Sequence, residues 1–307
     1  MTLSAPVAPR VTIVIATRNR KDDLMRALAS CAVQSADVEV IVVDDASTDE
    51  TSVAVAAAYP SARLVRFRER RGYIACRNHA FGLARGEIVL SLDDDAAFAD
   101  RETVSRTVGD FTDERIGAVA LAVADNGVPM NGPPAPSESE IVVPRFIGAG
   151  FAIRKSCFRA TGGFLELLVH QGEEALLCLR LLALGYVVKL GTAPAVDHRP
   201  SSVRDVARWD YYGSRNDVLL GLMALPGREL PMHGVRSGYR LARSLVQQRR
   251  FRHHLRGAAA GVVDGIRYRS ERDPVPAWVA RLDRYLLAQK QAPLDEVLRR
   301  IPASLQR

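Results

Sequence analysis

Residues 86–95 of the chain are GEIVLSLDDD, an apolar run that ends in three acids. The run IVLSL at residues 88–92 is short and almost continuously apolar, which is typical of a strand buried on both faces of a parallel sheet. Asp93, Asp94 and Asp95 follow it directly. Because three adjacent carboxylates repel one another, their place at a strand end predicts a cation between them. The alternative interpretation is a solvated acidic turn.

The geometry of an extended chain divides these three aspartates. Asp93 and Asp95 point to the same face of an extended segment, whereas Asp94 faces elsewhere. Ligands of open α/β sheets also bind at the carboxyl ends of strands. We therefore expect Asp93 and Asp95 to approach one Mg²⁺ or Mn²⁺ ion.

Two similar apolar runs come earlier, at residues 11–16 (VTIVIA) and 38–43 (VEVIVV). The helical stretches between the runs are residues 22–33, residues 47–50 (STDE) onward to Tyr59, and residues 73–85. The S-x-x-E spacing of residues 47–50 is that of a capping box, which opens a helix. Alternating strands and helices with short loops predict a doubly wound α/β domain.

Polar and charged side chains follow the strands and are expected near one edge of the sheet. They are Thr17, Arg18, Asn19, Asp44, Asp45 and Arg77. Guanidinium groups and backbone amides suit a base or a phosphate, and a strand-end carboxylate accepts hydrogen bonds from a base or ribose. A helix-capping turn explains the acidic pair at residues 44–45 equally well. The sequence has no G-x-x-x-x-G-K-[ST] loop and no G-x-G-x-x-G fingerprint, which argues against an ATPase or a nicotinamide-dependent enzyme.

The second half of the chain has a different pattern. Residues 125–136 (DNGVPMNGPPAP) predict a loop, and residues 146–154 predict a strand. Residues 173–184 predict a largely buried helix that starts with two glutamates. From residue 215 no clear strands remain, and arginine-rich helices continue to the end.

Composition narrows the class of partner. The chain of 307 residues carries a net charge of +7, which suits a phosphate-bearing substrate, an anionic lipid or a nucleic acid, although its arginine content can equally reflect genome composition. Only 6% of the residues are aromatic and no nucleic-acid-binding module is present, so we expect no nucleic acid partner. Four scattered cysteines, the absence of a secretory signal and the absence of a run of 18 apolar residues predict a cytoplasmic protein.

Four segments resemble the family 2 glycosyltransferases, and they occur in that family's order and spacing. They are residues 11–20 (VTIVIATRNR), 42–49 (VVDDASTD), 75–78 (ACRN) and 86–95 (GEIVLSLDDD). Further on, residues 162–164 (GGF), 172–174 (GEE) and 179–181 (LRL) resemble its acceptor-side motif. The resemblance covers roughly residues 11–200, and the ordered set is more specific than any one motif.

The resemblance implies a GT-A fold, in which two abutting α/β halves form one continuous, mostly parallel sheet flanked by helices. We accordingly assign residues 1–100 to a nucleotide-sugar-binding half, 101–214 to an acceptor-binding half and 215–307 to a helical C-terminal extension. The implied reaction is inverting transfer of a hexose from a UDP-, dTDP- or GDP-sugar to a hydroxyl of a sugar or lipid-linked acceptor. It implies Mn²⁺ or Mg²⁺ as cofactor and a place in bacterial polysaccharide, glycolipid or secondary glycoside biosynthesis.

Carried over residue by residue, the family's motifs imply three groups of site residues. Those for the nucleotide sugar are Thr17, Arg18, Asn19, Asp44 or Asp45, Arg77, Asp93 and Asp94. Those for the metal are Asp93, Asp95 and His198, the last being alternatively a diphosphate contact or an ordinary surface histidine. The implied catalytic base is Glu174, with Glu173 orienting the acceptor. The family usually has Glu-Asp at this pair, so the choice between the two glutamates stays open.

Two other classes of protein share some of these features. A sugar nucleotidyltransferase also needs strand-end carboxylates and a metal, but it usually carries an early glycine-rich basic loop, and residues 17–22 contain no glycine. A non-catalytic nucleotide-sugar-binding protein on the same fold has no reason to keep costly acidic clusters. Both therefore rank below the transferase.

The C-terminal segment adds two hypotheses. Residues 209–217 (WDYYGSRND) and the basic helices after them resemble the tail of bacterial rhamnosyltransferase-like members, which makes dTDP-rhamnose one donor candidate. Residues 235–255 mix arginine with apolar residues in an amphipathic pattern, which favours peripheral contact with an anionic membrane or a lipid-linked acceptor. A solvated helical cap on the catalytic domain is the alternative.

Overall fold

The computed structural model describes residues 11–136, 139–200, 205–248 and 251–305. The chain forms two compact units that alternate along the sequence. The first comprises Met1–Ile141, Phe146–Ala160 and Val188–Pro200, and the second comprises Val142–Arg145, Thr161–Val187 and Ser201–Arg307. The predicted division into a nucleotide-sugar-binding half (1–100), an acceptor-binding half (101–214) and a C-terminal extension (215–307) stays a prediction.

The strands are, in chain order, β1 (Val11–Thr17), β2 (Val38–Asp44), β3 (Arg63–Arg66), β4 (Ile88–Leu92), β5 (Ala96–Ala97), β6 (Ile116–Ala120), β7 (Val123–Asp125), β8 (Val128–Pro129), β9 (Ile141–Val142), β10 (Gly150–Arg154), β11 (Val187–Leu190), β12 (Val196–His198) and β13 (Ala292–Pro293). The helices are α1 (Lys21–Ala32), α2 (Thr51–Ala58), α3 (Tyr73–Leu83), α4 (Thr103–Gly109), α5 (Lys155–Ala160), α6 (Glu173–Ala183), α7 (Val206–Ala224), α8 (Leu230–Gln248), α9 (Phe251–Arg267), α10 (Ala277–Gln289) and α11 (Leu294–Arg299).

The main sheet of the first unit places β11, β6, β10, β4, β1, β2 and β3 side by side in that order. β1 pairs in parallel with β2 and β4, and β2 pairs in parallel with β3. β10 runs antiparallel to both β4 and β6. β4 is buried along its whole length and β1 along nearly all of it, as expected for strands covered on both faces. The carboxyl ends of the parallel strands therefore share one edge of the sheet.

A smaller sheet in the same unit has the strand order β5, β12, β7, β8. β12 runs antiparallel to β5 and parallel to β7. This pairing sets His198, the last residue of β12, opposite Ala96 on one side and Asp125 on the other. The small sheet thus brings His198 next to the segment that follows the aspartate triplet.

Helix α2 starts later than the sequence predicts. It begins at Thr51, and the predicted capping box at residues 47–50 is wrong. The Ser47 hydroxyl instead accepts a hydrogen bond from the Asn19 amide at 2.9 Å, while the Thr51 amide donates to the Asp49 carboxylate at 3.1 Å. The Ser47 hydroxyl, which a capping box would use locally, is therefore bonded to Asn19, 28 residues away in the sequence.

In the second unit, α7 and α9 pack very closely. α9 turns Gly257, Gly261 and Gly265 toward α7, and a Cβ atom added at Gly261 would lie 2.4 Å from the carbonyl oxygen of Arg215. The Arg215 guanidinium also donates to the Asp264 carboxylate at 2.7 Å. Bulkier residues at these positions would hold the two backbones apart, so the glycines permit the close packing.

The predicted fold class is confirmed as a mixed α/β protein whose large sheet is flanked by helices and followed by C-terminal helices. All four cysteines are buried, as predicted. Within the part of the chain that the structure describes, no helix is long and apolar enough to cross a bilayer.

Candidate metal and nucleotide site

The three predicted metal ligands come together in the first unit. Asp93 and Asp95 lie in the turn after β4, and His198 ends β12. One ligand atom from each residue can be chosen so that all three lie within 4.8 Å of one another. Two carboxylates and an imidazole at this spacing can share one divalent cation, and the two acidic oxygens favour a hard ion such as Mg²⁺ or Mn²⁺. The residues present therefore fit the implied metal.

The His198 ring is held at both nitrogens. Its Nε2 atom lies 3.1 Å from Oδ1 of Asp95, and its Nδ1 atom lies 2.5 Å from Oδ1 of Asp125. Burial by itself would lower the pKa of His198, but the hydrogen bonds to Asp95 and Asp125 and the charge of the aspartates raise it to about 9. The aspartates around the ring thus favour the protonated form of His198.

Asp95 and Asp93 differ in their electrostatic surroundings. Burial raises the pKa of Asp95, yet the hydrogen bond and charge of His198 and the charge of Arg20 outweigh it, so the net pKa is lowered. Burial also raises the pKa of Asp93, and there the net pKa stays raised although Arg77 opposes the shift. A cation bound beside Asp93 would favour its ionised form and oppose this shift.

Arg77 holds Asp93 from the inside of the unit. Its guanidinium is buried, donates to Oδ1 of Asp93 at 2.5 Å and donates to the carbonyl oxygen of Gly148 at 3.0 Å. It also lies over the Tyr73 ring, 5.0 Å from the centroid. The sequence predicts Arg77 near the ribose or diphosphate, and the structure places it directly behind the aspartate that would share their cation.

Arg20, the last residue of the motif after β1, contacts the aspartate triplet, which the sequence did not predict. Its Nη1 atom lies 3.0 Å from Oδ1 of Asp94 and 2.7 Å from Oδ2 of Asp95. Asp94 also accepts a hydrogen bond from the Thr17 hydroxyl at 2.9 Å. Burial nevertheless raises the pKa of Asp94 to about 7, because Arg20 opposes the shift only partly and the neighbouring aspartates add to it. Asp94 thus ties the end of β1 to the end of β4.

The loop after β1 is shaped by Asn19. Its backbone has a positive φ of 53°, its amide donates to Ser47 Oγ, and its side-chain oxygen accepts from the Thr48 amide at 2.7 Å. The Arg18 side chain is exposed beside it. The geometry brings Thr17, Arg18 and Asn19 to the same sheet edge as the aspartates, as the sequence predicts.

Asp44 and Asp45 are both buried at the end of β2 and have partners within the chain. Asp44 accepts hydrogen bonds from the Ser47 amide at 2.8 Å and from the Ser52 hydroxyl. Asp45 accepts from the amides of Arg71 and Gly72, at 2.6 Å and 2.9 Å. The two carboxylates therefore shape the loops at this edge, and contact of either with a nucleobase stays a prediction.

Glu173 and Glu174 belong to the second unit, where they open α6. The residue before them, Gly172, has a φ of 85°. Residues with a side chain rarely adopt this left-handed backbone conformation. The Glu173 residue is 1% exposed, whereas Glu174 is only partly buried. Of the two candidate bases, Glu174 is the more accessible to an acceptor.

Asn216 of α7, which the sequence analysis did not single out, fixes the loop ahead of these glutamates. Its side-chain amide donates to the carbonyl oxygens of Leu168, His170 and Gln171 at 2.8, 2.7 and 2.8 Å. These carbonyl groups lie 45 to 48 residues from Asn216 in the sequence, so no local sequence pattern indicates the three hydrogen bonds. Asn216 therefore helps to place the start of α6.

Comparison with known proteins places this site in a class. The fold is shared with the mannosyltransferase PcManGT from Pyrobaculum calidifontis in complex with GDP-Man and Mn²⁺, at a TM-score of 0.57 and 21% identity over 85% of this chain and 88% of that one. It is shared with S. aureus TarS 1–349 in complex with UDP-GlcNAc, at a TM-score of 0.61 and 17% identity over 97% of this chain and 92% of that one. The architecture is thus the GT-A fold that the sequence implied.

Residues 12–164 match the family described as Glycosyl transferase family 2, and the chain belongs to that family. It is 34% identical over 177 residues to the succinoglycan biosynthesis protein ExoU of Rhizobium meliloti (strain 1021), covering 56% of this chain and 51% of that protein. It is 43% identical over 96 residues to ExoO of the same organism, covering 30% of this chain and 28% of that protein. The matched region spans about half of ExoU and less of ExoO.

Proposed function

We propose that the protein transfers a sugar from a nucleotide-diphosphate donor to an acceptor hydroxyl, with inversion and with help from Mn²⁺ or Mg²⁺. The observation that carries the proposal is the convergence of Asp93, Asp95 and His198 at the carboxyl edge of a family 2 sheet. When bound, the cation would neutralise the donor diphosphate and stabilise the departing nucleoside diphosphate. The Mn²⁺ in the complex of the similarly folded PcManGT supports this assignment.

Different residues of this chain would hold the metal ligands and bind the nucleotide of the donor. Arg77 braces Asp93, and Arg20 braces Asp94 and Asp95. The exposed Arg18 beside the Asn19 turn is suited to a phosphate or base. Asp45 acts, on this proposal, by holding the Arg71–Gly72 backbone where the nucleotide would lie.

The proposal extends to donor, acceptor and process. The donor is a UDP-, GDP- or dTDP-sugar, supported by the GDP-Man and UDP-GlcNAc complexes of proteins with this fold. The acceptor is a sugar or a lipid-linked sugar, and the process is bacterial polysaccharide synthesis, which the printed names of ExoU and ExoO support. The reaction would take place in the cytoplasm, with peripheral contact to the inner face of the membrane.

Glu174 is the proposed catalytic base. Displacement at the anomeric carbon needs a group that removes the acceptor proton as the new bond forms. Glu174 occupies the family's motif position and is the more accessible of the pair, while the buried Glu173 braces the start of α6. The proton would pass from the acceptor hydroxyl to the Glu174 carboxylate as the nucleoside diphosphate leaves.

The test is release of nucleoside diphosphate from a panel of UDP-, GDP- and dTDP-sugars, with and without Mn²⁺, Mg²⁺ or EDTA. We expect release with one donor, loss in EDTA, and loss in Asp95→Asn. The control is Asp197→Asn, a neighbour in β12 whose carboxylate pairs with the Arg199 guanidinium at 2.8 Å and lies outside the ligand cluster. Full turnover in EDTA would refute the metal, and release of pyrophosphate from a sugar phosphate and a nucleoside triphosphate would indicate a nucleotidyltransferase instead.

A further inference from the structure

The positive charge of the chain is concentrated in one segment. Residues 230–263 contain seven arginines and no aspartate or glutamate, so this segment alone accounts for the +7 net charge of the whole chain. The rest of the sequence is electrically balanced. α8 occupies residues 230–248 and most of α9 lies in the remainder. Five of the seven arginines lie on these two neighbouring helices of the second unit, and the other two, Arg249 and Arg250, lie outside the described residues.

α9 has its bulky apolar residues on the outside. Phe251, Leu255, Val262 and Ile266 are between 46% and 59% exposed. At 100° per residue they fall within about 60° of one another around the helix, with Ala259 near that arc. They therefore form a continuous outward stripe, which we call the α9 apolar stripe.

The buried face of α9, about 110° around the helix from the stripe, explains why this stripe is exposed. Gly257, Gly261 and Gly265 are the residues that α9 buries against α7. A soluble helix normally buries its large apolar residues and exposes its small or polar ones. α9 does the reverse, so its apolar stripe is available to something outside the unit.

Arginines border the stripe on one side. Arg252, Arg256 and Arg267 are exposed and follow the stripe around the helix at about 100° to 160° on the same scale. α8 repeats the pattern with exposed Met232, Val235 and Tyr239 and with exposed arginines. The one acidic side chain of α9, Asp264, is paired with Arg215. The exposed charged groups beside the stripe are therefore cationic, and the exposed Val263 lies among them.

We propose that the α9 apolar stripe and the arginines beside it dock this protein on an anionic lipid bilayer. An apolar face with cationic borders lies in the membrane interface, where its apolar side chains enter the acyl boundary and its arginines meet lipid phosphates. α9 has 17 residues and α8 has 19, and neither can span a bilayer, so the helices lie on the surface. This proposal rests on the peripheral membrane contact of the proposed function, to which it assigns a surface, and it holds whichever sugar the protein transfers.

Charge decides between a bilayer and other occupants. Two copies of the chain meeting through this face would bring two arginine-rich segments together, and like charges at an interface are costly. A nucleic acid would need stacking aromatics, and Phe251 is the aromatic residue of the α9 stripe. An anionic bilayer can bind both the α9 apolar stripe, through its acyl chains, and the arginines beside it, through its phosphates.

The experiment is vesicle flotation of the full chain with phosphatidylcholine alone or with about 30% phosphatidylglycerol, at about 0.05 M and 0.5 M salt. One variant combines Leu255→Ser, Val262→Ser and Ile266→Ser, and another combines Arg252→Gln with Arg256→Gln. The apolar control combines exposed sites outside α8 and α9, Val33→Ser, Val53→Ser and Leu287→Ser. The charge control combines Arg101→Gln with Arg159→Gln, which are also exposed.

We expect the wild-type chain and both controls to float with anionic vesicles at low salt and not with phosphatidylcholine. Each stripe variant should lower the bound fraction by at least about 10-fold at unchanged melting temperature, since each arginine at an anionic surface contributes about 5-fold. Absence of wild-type binding would overturn the proposal, and so would equal loss in the variants and their controls. A solution dimer that the apolar variant dissociates, without vesicle binding, would assign the stripe to a second copy and overturn it as well.

Discussion

The carboxylate of Asp125 lies 2.5 Å from Nδ1 of His198, on a strand that runs parallel to β12 in the small sheet. This contact fixes the ring so that Nε2 faces Asp95. A carboxylate behind a histidine sets the tautomer and raises the basicity of the nitrogen that faces a metal. Asp125 is therefore a positioning residue for the proposed cation.

Asp125→Asn should weaken Mn²⁺ binding by about 10-fold to 100-fold, because the amide keeps the ring in place but lacks the charge. Calorimetric titration of Mn²⁺ into the nucleotide-free protein measures this without turnover. Asp197→Asn, on the same small sheet but outside the ligand cluster, should bind Mn²⁺ like the wild type. An Asp125→Asn protein with wild-type affinity would show that His198 needs no carboxylate behind it.

Replacing Arg20 should change the affinities for Mn²⁺ and for the nucleoside diphosphate in opposite directions. Its guanidinium contacts Asp94 and Asp95, so it competes with a cation for the same negative charge. Arg20→Gln should tighten Mn²⁺ binding roughly 5-fold through loss of like-charge repulsion. The same variant should weaken binding of the donor's nucleoside diphosphate, which loses a cationic partner.

The control for Arg20 is Lys21→Gln, since Lys21 pairs with Glu50 at 3.3 Å rather than with the triplet. Both affinities of the Lys21→Gln protein should stay within a factor of about 2 of wild type. If Arg20→Gln weakens Mn²⁺ and nucleotide together, Arg20 serves only as a structural brace and the competition is absent.

The sequence could predict those features of the fold and the site that depend on residues close together in the chain. The apolar runs of β1, β2 and β4 and the acids after them are local patterns, and the strands formed where expected. The contacts of Arg20 with Asp94 and of Asp125 with His198 were missed because the partners lie 74 and 73 residues apart. The capping box failed for the same reason, since Asn19 takes the Ser47 hydroxyl only once β1 and β2 are paired. Contacts between distant strand ends follow from topology, which no local pattern contains.

His170 gives a prediction about pH. Burial and the charge of Arg208 together lower the pKa of His170 to about 4, while the charge of Asp205 opposes the shift. The unfolded chain binds a proton near pH 6.5 and the folded one does not, so stability is full above pH 6.5 and falls as pH drops toward 4. Between pH 7.5 and pH 5 this loss is about 2 kcal/mol, since one unit of pKa shift corresponds to about 1.4 kcal/mol.

Urea unfolding at pH 7.5 and pH 5 measures the effect, and His170→Gln should lose less stability between the two values than the wild type does. NMR titration of labelled histidine should place the His170 resonance near pH 4, and Arg208→Gln should move it upward. A His170 resonance that titrates near 6.5 in the folded protein would contradict the burial argument.

Two glycine substitutions should have opposite effects on stability. A Cβ atom at Gly261 would lie 2.4 Å from the Arg215 carbonyl oxygen, so Gly261→Ala forces α9 away from α7 and should cost about 2 kcal/mol net of its helix propensity. Gly238 in α8 is exposed and has no atom within 4 Å of an added Cβ. Gly238→Ala should stabilise by up to about 1 kcal/mol. Thermal unfolding of both variants checks the signs, and equal shifts would mean that α7 and α9 are not closely packed.

The accessible glutamate of α6 carries the last prediction. Adjacent helical residues point about 100° apart, so Glu173 and Glu174 cannot both face an acceptor. Glu173 is buried and Glu174 is not, which agrees with Glu174 at the motif position of the base. Glu174→Gln keeps the shape of the side chain and removes its ability to take a proton.

We expect Glu174→Gln to keep its donor affinity and melting temperature but to lose turnover by about 10²-fold or more, with the low-pH limb of the rate profile changed. Glu173→Gln, at a buried position, should instead lower stability and alter kcat less. Asn216→Ala tests the support of the loop before α6, because it removes three bonds to that loop and touches neither glutamate's charge. It should lower kcat while leaving the pH profile in place, since the base itself is unchanged. If Glu174→Gln turns over normally and Glu173→Gln is inactive but folded, the roles are reversed, and if both stay active the base lies outside α6.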